Sequence, residues 1–347
     1  MSLPIAGKGD HADSFEQSGQ FLEFPQNGGA AFRHVFSTAG SQPKVVCQFK
    51  PVLEKNLADR GLAGDPPLQV RLLAHLEGLG SLDGVMREKG QLIEHLKAEG
   101  KAVLNADDRR VSKIAAQTKK DVHFFGFSEK AAIRATTVNE KASGISFRLD
   151  LPQESITVDL KVAGQFMVIN ALAAAAVGQL LELPAAEIKA GLETFEPAWG
   201  RMNIVQTASG IHVIDDTYNA NPDSMKAAIT TLTSLRANNR SVFVAGDMLE
   251  LGAQTESLHR QVGVWAATAK ISKLLVTGEY AHAVAGGAKE AGMQSENIFT
   301  GSQEEILDTL KDALKPGDWV LVKGSRGAHM DTIVEGLKRW AGVKPEA

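Results

Sequence analysis

From about residue 200 onward, short apolar runs alternate regularly with longer stretches of helical composition. The apolar runs have the length of buried strands and lie at residues 211–214, 241–245, 274–277 and 319–322. The helical stretches lie near residues 223–236, 255–269, 281–291, 302–314 and 328–341. Repeated strand–helix units predict an α/β domain of the Rossmann-like type, with an open, mainly parallel sheet and helices on both faces.

Residues 71–199 contain a second set of predicted elements. Helices are expected near residues 84–99, 165–181 and 185–195, a buried strand at 102–105, and a β-hairpin formed by 145–149 and 156–160. Gly100 stands where a glycine commonly ends a helix, and Pro152 falls in the hairpin loop. This part of the chain is therefore expected to form a separate domain.

Residues 1–70 differ from the rest because glycine, proline and asparagine recur without a sustained helical or strand period. The stretches at residues 23–29 and 61–67 are dense in such residues. We expect short or poorly ordered elements in this atypical N-terminal segment.

Composition and charge exclude several classes of protein. The 347 residues are 44% hydrophobic and carry a net charge of −4, and the basic residues are spread along the chain, so nucleic-acid binding is not expected. Cys47 is the only cysteine, which rules out an intrachain disulfide and fits a reducing cytosol. The longest apolar run, residues 171–177, is too short to span a bilayer. We expect a soluble, cytoplasmic protein without membrane contact; the sequence does not predict its oligomeric state.

Polar, glycine-rich residues follow the predicted strands of the second domain. They lie at residues 215–221, 246–247, 277–279 and 323–327. In open α/β sheets, ligands bind beyond the carboxyl ends of the strands, so these clusters should share one rim. Lys323 and Arg326 would add cations suited to phosphate or carboxylate. Turns at strand ends commonly contain Gly and Asp, and this simpler interpretation explains residues 246–247 and 277–278 equally well.

These clusters and three upstream stretches resemble ordered motifs of the Mur ligase family, in particular of the members that add D-alanyl-D-alanine to UDP-N-acetylmuramoyl-tripeptide. The downstream matches include DDTYNANPDS after the first strand, GDMLELG after the second and KGSRG after the last. The six motifs lie at residues 74–81, 103–108, 170–176, 213–225, 244–252 and 322–327. The resemblance implies a partial central, ATPase-type domain at residues 71–199 and a C-terminal Rossmann-like domain at residues 200–347.

The resemblance also implies a reaction in peptidoglycan synthesis. ATP would convert the peptide carboxylate of UDP-N-acetylmuramoyl-tripeptide to an acyl phosphate, which the amine of D-alanyl-D-alanine then attacks. Because a carboxylate is a poor electrophile and its phosphorylation brings negative charges together, cations such as Mg²⁺ are needed to offset that charge.

Residue by residue, the resemblance implies ligands for metal and nucleotide. His75 would be a magnesium ligand, and Lys89, if carbamylated, a second one; without the motifs, His75 reads as a turn histidine and Lys89 as a solvated helix lysine. Asn170 would contact adenine, Arg201 would lie near the ATP phosphates, and Asp216 would hold the ribose. His75, Lys89 and Asp216 are the candidate catalytic residues.

The remaining family positions point to the second substrate, and three positions depart from the family pattern. Candidate substrate-binding residues are Asn219, Asn221, Lys323, Ser325 and Arg326. Gln91 replaces a glutamate usual in the family, and Phe166 and Met167 stand where the family usually has His-Asn. The second departure places the adenine contact in question.

The sequence contains no GxxGKT stretch of the kind that wraps the ATP phosphates with backbone N–H groups. Residues 6–10 hold a Gly-Lys pair but neither the spacing nor the following Ser/Thr, and they read as a polar tail. This predicts at best weak ATP binding and no ligation by the isolated chain. Three interpretations therefore stay open: a ligase homologue, a catalytically inactive remnant, and a non-catalytic binding module for cell-wall precursors.

Overall fold

The computed structural model describes residues 68–69, 82–97, 100–141 and 144–343. They form two six-stranded sheets with accompanying helices, as the α/β expectation requires. The expectation for residues 1–70 falls, apart from Leu68 and Gln69, outside the described residues, and so does the motif at 74–81 with His75. The structure describes the backbone of Lys89, which lies in a helix, but not its side chain.

The strands of the first sheet are arranged in chain order. Strands β1 to β4 pair in parallel, and β4, β5 and β6 pair antiparallel. The strands are β1 (Leu68–Gln69), β2 (Lys101–Asn105), β3 (Asp121–Gly126), β4 (Ile133–Lys141), β5 (Gly144–Asp150) and β6 (Ser155–Leu160). The helices are α1 (Leu82–Glu94), α2 (Arg109–Gln117), α3 (Gln165–Leu180) and α4 (Ala185–Glu193). The predicted hairpin is confirmed, since Pro152 lies in the turn between β5 and β6.

The predicted end of α1 was wrong. The helix stops at Glu94, well before Gly100, so this glycine is not its C-cap. The Gly100 amide donates to the Lys97 carbonyl within a turn. The Lys120 ammonium donates to the carbonyls of Leu96 and Lys97, so a side chain from a later part of the chain holds the backbone that follows the helix.

The second sheet has the strand order β11-β10-β9-β12-β8-β7, and only β7 runs antiparallel to its neighbour. The strands are β7 (Asn203–Gln206), β8 (His212–Asp216), β9 (Ser241–Ala245), β10 (Lys273–Val276), β11 (Ile298–Thr300) and β12 (Trp319–Lys323). The helices are α5 (Pro222–Leu235), α6 (Thr255–Thr268), α7 (Ala281–Glu290), α8 (Gln303–Ala313) and α9 (Asp331–Ala341). Within the described residues, none of the helices combines the length and the apolar character needed to cross a membrane.

Helices cover both faces of this sheet, as the strand–helix rhythm predicted. Alternate residues of the central strands point to opposite faces. Phe243 and Leu321 pack in the cluster that contains α5, α6 and α7, whereas Val244 and Val322 pack in the cluster that contains α8 and α9. Burial on both faces explains why these strands are continuous apolar runs rather than alternating ones.

The position of β12 determines which loops meet at the rim. The chain adds β9, β10 and β11 in one direction and then returns to insert β12 between β8 and β9. Lys323, the last residue of β12, pairs with Asp216 at the end of β8 and with Ala245 at the end of β9. The loops that follow these three strands therefore start side by side.

Helices α6 and α7 pack closely because glycines lie at their contact. A Cβ atom added at Gly263 would lie 1.9 Å from the carbonyl oxygen of Val284, and one added at Gly287 would lie 2.0 Å from that of Arg260. At the adjacent Gly286, an added Cβ would meet only the end of the Arg260 side chain at 3.3 Å. Two neighbouring glycines on one helix thus differ in the space around them.

We predict that Gly287→Ala destabilises the domain although alanine favours helix formation. The new methyl group must push two backbones apart, at a cost of about 1–3 kcal/mol or more, against a propensity gain of about 1 kcal/mol. Gly286→Ala, the control, should be neutral or stabilising because a flexible side chain can move away. Urea unfolding of both variants measures the difference, and equal free energies of unfolding would contradict the close contact.

Helix α6 also supports the loop after β9 through His259. This side chain is 1% exposed, stacks on Tyr280, and accepts a hydrogen bond at Nε2 from the Met248 amide (2.9 Å). Its Nδ1 lies 2.7 Å from the Thr255 carbonyl oxygen and donates to it, which makes the imidazole neutral. Burial lowers the pKa of His259.

A pH dependence of stability follows from this histidine. Because its pKa is lower in the folded than in the unfolded state, its contribution is present above the unfolded value of about 6.5 and is lost as the pH falls below it. We expect the free energy of unfolding to fall more steeply below about pH 6.5 in the wild type than in His259→Gln. The control is His282→Gln, because His282 is a largely exposed histidine on α7. Parallel pH profiles for the wild type and His259→Gln would refute the assignment.

Candidate active site

Lys323 stands at the centre of the rim and is almost completely buried, with 2% of its side chain exposed. Its ammonium donates to the Asp216 carboxylate at 2.6 Å and to the Asn219 carbonyl at 2.8 Å. The Asp216 carbonyl lies at 3.5 Å. A buried ammonium with three donors needs this many acceptors, so Lys323 ties the end of β12 to the loop that follows β8.

Ser325 connects all three loops. Its hydroxyl donates to the Ala220 carbonyl (3.2 Å) and accepts from the Leu249 amide (2.9 Å). Its own amide donates to the Asp247 carbonyl at 2.8 Å. With 2% of its surface exposed, Ser325 fixes the loops after β8 and β9 relative to the loop after β12.

The two aspartates that end β8 have different surroundings. Asp216 is partly exposed at the rim, and its second carboxylate oxygen accepts from the Met202 amide at 3.2 Å. Asp215 is buried and accepts from the amide and the hydroxyl of Thr217. Burial raises the pKa of Asp215. Asp216 is therefore the carboxylate that a ligand at the rim can reach.

The two asparagines after β8 are used in different ways. The exposed Asn219 accepts a hydrogen bond from the neighbouring Ala220 amide at its side-chain oxygen. Asn221 is the N-cap of α5: its side chain accepts from the Ser224 amide at 2.9 Å, and the Ser224 hydroxyl accepts from the Asn221 amide at 3.0 Å. With Pro222 as the first helical residue, this capping box sets where the helix begins.

Arg201 and Arg326 are the exposed cations of the rim. The Arg201 guanidinium lies 4.0 Å from the centre of the Tyr218 ring. The Arg326 guanidinium lies 5.1 Å from the centre of the Trp199 ring and 5.7 Å from that of Tyr218. Both rings are substantially exposed, at 45% for Trp199 and 40% for Tyr218. The rim thus presents two guanidinium groups and two aromatic rings to solvent.

The structure brings seven of the predicted site residues to this rim. They are Arg201, Asp216, Asn219, Asn221, Lys323, Ser325 and Arg326. Asn170 lies on α3, which packs on the first sheet, and its amide nitrogen donates to the Met167 sulfur at 3.5 Å. Among the described residues, no group of three or more His, Cys, Asp or Glu side chains is arranged to hold a metal ion.

Three contributors to the rim were not singled out from the sequence. Asp247, which turn chemistry alone would explain, accepts from the amides of Glu279 and Tyr280 and so fixes the loop after β10. Trp199 and Tyr218 stack on the arginines. The sequence offered one signal for the two aromatic residues: each lies within one or two positions of a predicted ligand-binding residue.

Comparison with known proteins assigns the chain's middle and C-terminal parts. Residues 73–178 match the Mur ligase middle domain, and residues 200–326 match the glutamate ligase domain of Mur ligases. Two similar curated proteins are the UDP-N-acetylmuramoyl-tripeptide–D-alanyl-D-alanine ligases of Escherichia coli, 35% identical over 269 residues, and Bacillus subtilis, 29% identical over 265 residues. Each alignment covers 76% of this chain, which spans 58% and 57% of those two relatives.

Solved structures give the same result. A structure of MurF from Acinetobacter baumannii superimposes with a TM-score of 0.70 at 32% identity, covering 77% of this chain and 58% of that one. MurF from Thermotoga maritima, solved in complex with ADP, has the same fold, with a TM-score of 0.70 at 24% identity over 80% of this chain and 62% of that one. With the two domain matches and the rim geometry, these similarities establish that the chain belongs to the Mur ligase family and contains its middle and glutamate ligase domains.

Proposed function

We propose that the chain acts in the ATP-dependent joining of D-alanyl-D-alanine to UDP-N-acetylmuramoyl-tripeptide. The curated relatives named above carry that activity in their names. The observation that carries the proposal is the rim itself, where the DDTYNANP and KGSR motifs are locked together and leave two guanidinium groups exposed. Such a surface suits a reaction whose substrates and intermediate are oxyanions.

The proposed roles follow the accessibility of each residue. Arg201 would bind the ATP phosphates, Asp216 would accept a hydrogen bond from the ribose, and Asn170 would contact adenine. Arg326 would bind a carboxylate of the dipeptide or of the acceptor peptide, where its fork of N–H donors matches the two oxygens. Asn219, with an exposed side chain, would contact the same substrate.

Buried residues would act on the substrates indirectly. Lys323 and Ser325 have their polar atoms engaged within the protein, so we propose that they shape the loops that carry Asn219 and Arg326. Asn221 would contribute by fixing the start of α5. His75 and Lys89, the latter after carbamylation, would hold Mg²⁺, which offsets the charge on the phosphates when it is bound.

The chemistry divides into two balanced steps. In the first, a carboxylate oxygen of the tripeptide attacks the γ-phosphorus of ATP, and ADP leaves. In the second, the dipeptide amine attacks the acyl carbon, inorganic phosphate leaves and the amine loses a proton. The curated relatives are named as ligases, so they give no support to the alternatives of an inactive remnant or a non-catalytic binding module.

The direct test is release of phosphate that depends on the dipeptide. The missing GxxGKT stretch alone led us to expect no ligation by the isolated chain, but the similarity to named ligases favours activity. With UDP-N-acetylmuramoyl-tripeptide, Mg²⁺ and millimolar ATP, we therefore expect release to rise on addition of D-alanyl-D-alanine. The KM for ATP should be high because the sequence contains no GxxGKT stretch, whose charge-assisted hydrogen bonds are worth about 1.5–3 kcal/mol each. Arg326→Met should raise the KM for the dipeptide about 10- to 100-fold.

The matched control for the arginine is Arg339→Met, an exposed arginine near the end of α9. It should leave both KM values unchanged. Absence of any dipeptide-dependent phosphate release would overturn the proposed activity of this chain and favour the inactive alternatives.

A second prediction separates the buried from the exposed cation. Lys323→Met should lower the free energy of unfolding by about 3 kcal/mol or more, because the Asp216 carboxylate loses its ammonium partner. Adding Asp216→Asn should recover part of that loss. Arg326→Met should cost no more than about 1 kcal/mol, since its stacking contacts are exposed. Similar losses for Lys323→Met and Arg326→Met in denaturant unfolding would contradict the division of roles.

A further inference from the structure

The two exposed arginines and two exposed aromatic residues form a continuous series of cation–π contacts. In spatial order the members are Trp199, Arg326, Tyr218 and Arg201, with ring-to-guanidinium distances of 5.1, 5.7 and 4.0 Å. Trp199 and Arg201 come from the segment before β7, Tyr218 from the loop after β8, and Arg326 from the loop after β12. We call these four residues the rim stack.

The guanidinium groups of the rim stack have no other partner within the part of the chain that the structure describes. Neither Arg201 nor Arg326 donates a side-chain hydrogen bond or forms an ion pair there, and both are exposed. A guanidinium that lies over an aromatic ring gains electrostatic stabilisation from the ring without using its five N–H donors. The donors of both groups are therefore available to a ligand.

Two cations that contact one ring repel each other, and an oxyanion would relieve this repulsion. Tyr218 is the ring that both guanidinium groups share, so it sets their separation and orientation. Negative charge bound between or beside the two groups would be stabilised by both.

The backbone around Tyr218 is itself fixed. The Tyr218 amide donates to the Gly200 carbonyl at 2.9 Å, and Lys323 holds the carbonyl of the next residue, Asn219. Gly200 has a φ of 66°, and a Cβ atom added there would lie 2.9 Å from the Tyr218 amide nitrogen. Only glycine fits this close approach, which places Trp199 on one side of the contact and Arg201 on the other.

We propose that Tyr218 and Trp199 are positioning residues, whose rings hold Arg201 and Arg326 ready to bind oxyanions of the phosphate or carboxylate class. Tyr218 is the shared member, and Trp199 supports Arg326 alone. The proposal rests on the proposed function for the identity of the two oxyanions; the positioning itself requires no substrate. If the rings only covered the segment before β7, their replacement would change the stability of the protein without changing the reactivity of the two arginines.

The rate at which phenylglyoxal modifies each arginine, followed by mass spectrometry, tests the stack without any substrate. In Tyr218→Leu, both Arg201 and Arg326 should react about two- to fivefold faster, the factor that corresponds to an exposed cation–π contact. In Trp199→Leu only Arg326 should respond. Tyr218→Phe and Trp199→Phe, which keep a ring, should behave like the wild type. Arg339 in each sample is the internal standard, and Trp340→Leu is the control for loss of an exposed tryptophan.

Protection from modification then identifies the oxyanions. Inorganic pyrophosphate should protect Arg201 and D-alanyl-D-alanine should protect Arg326 in the wild type, and the concentrations needed should rise about tenfold in Tyr218→Leu. Unchanged reactivity of both arginines in Tyr218→Leu would overturn the proposal, and so would unchanged protection. Thermal unfolding shows whether each variant is folded. If Tyr218→Leu does not fold, the comparison of Trp199→Leu with Trp199→Phe decides the proposal. If the variants change the modification rates as expected but D-alanyl-D-alanine does not protect Arg326 in the wild type, the rim stack stands and the proposed substrate is contradicted instead.

Discussion

The arrangement of the rim depends on one buried charge, the ammonium of Lys323 at the end of the inserted strand β12. Taking an ammonium group out of water is costly unless several acceptors surround it. The carboxylate of Asp216, at the end of β8, and the carbonyl of Asn219, in the loop that follows, meet this requirement. The loop cannot move away without leaving a buried cation unpaired. The conformation of that loop is thereby coupled to strand order, because only the insertion of β12 beside β8 brings Lys323 to it.

The two kinds of basic residue in this site have different tasks, and their chemistry explains why. An ammonium group is a compact charge that can direct three donors to three acceptors, which suits the enclosed position of Lys323. A guanidinium group is planar and more weakly hydrated, so it can stack on rings and still keep its donors for a ligand, which suits Arg201 and Arg326. Within the KGSR motif, a buried residue that holds the loops together and an exposed residue whose donors are available to a ligand lie only a few positions apart.

Much of this could be predicted from the sequence, and the exceptions have physical reasons. Strands β9 and β12 are continuous apolar runs because both of their faces are buried, and such runs are visible without a structure. Helix α2 was missed because it is a short amphipathic helix with only two fully buried apolar residues, Val111 and Ile114. The edge strands β7 and β11 were missed because they are short and only partly buried. Strand order was also out of reach, because it depends on contacts between residues far apart in the chain.

For the candidate site, it was easier to predict which residues come together than to predict the role of each one. The KGSR motif contains three polar residues within four positions, and nothing in the string distinguishes Lys323 from Arg326. The difference arises because a strand ends at Lys323, inside the sheet, whereas Arg326 begins a short 3-10 turn at the surface. The same limit applies to Trp199 and Arg201, which lie before the first strand of the second sheet and still form half of the rim stack. A fragment beginning at β7 would contain the Lys323–Asp216 pair but neither Trp199 nor Arg201, so the rim stack extends beyond the sheet that positions its other two members.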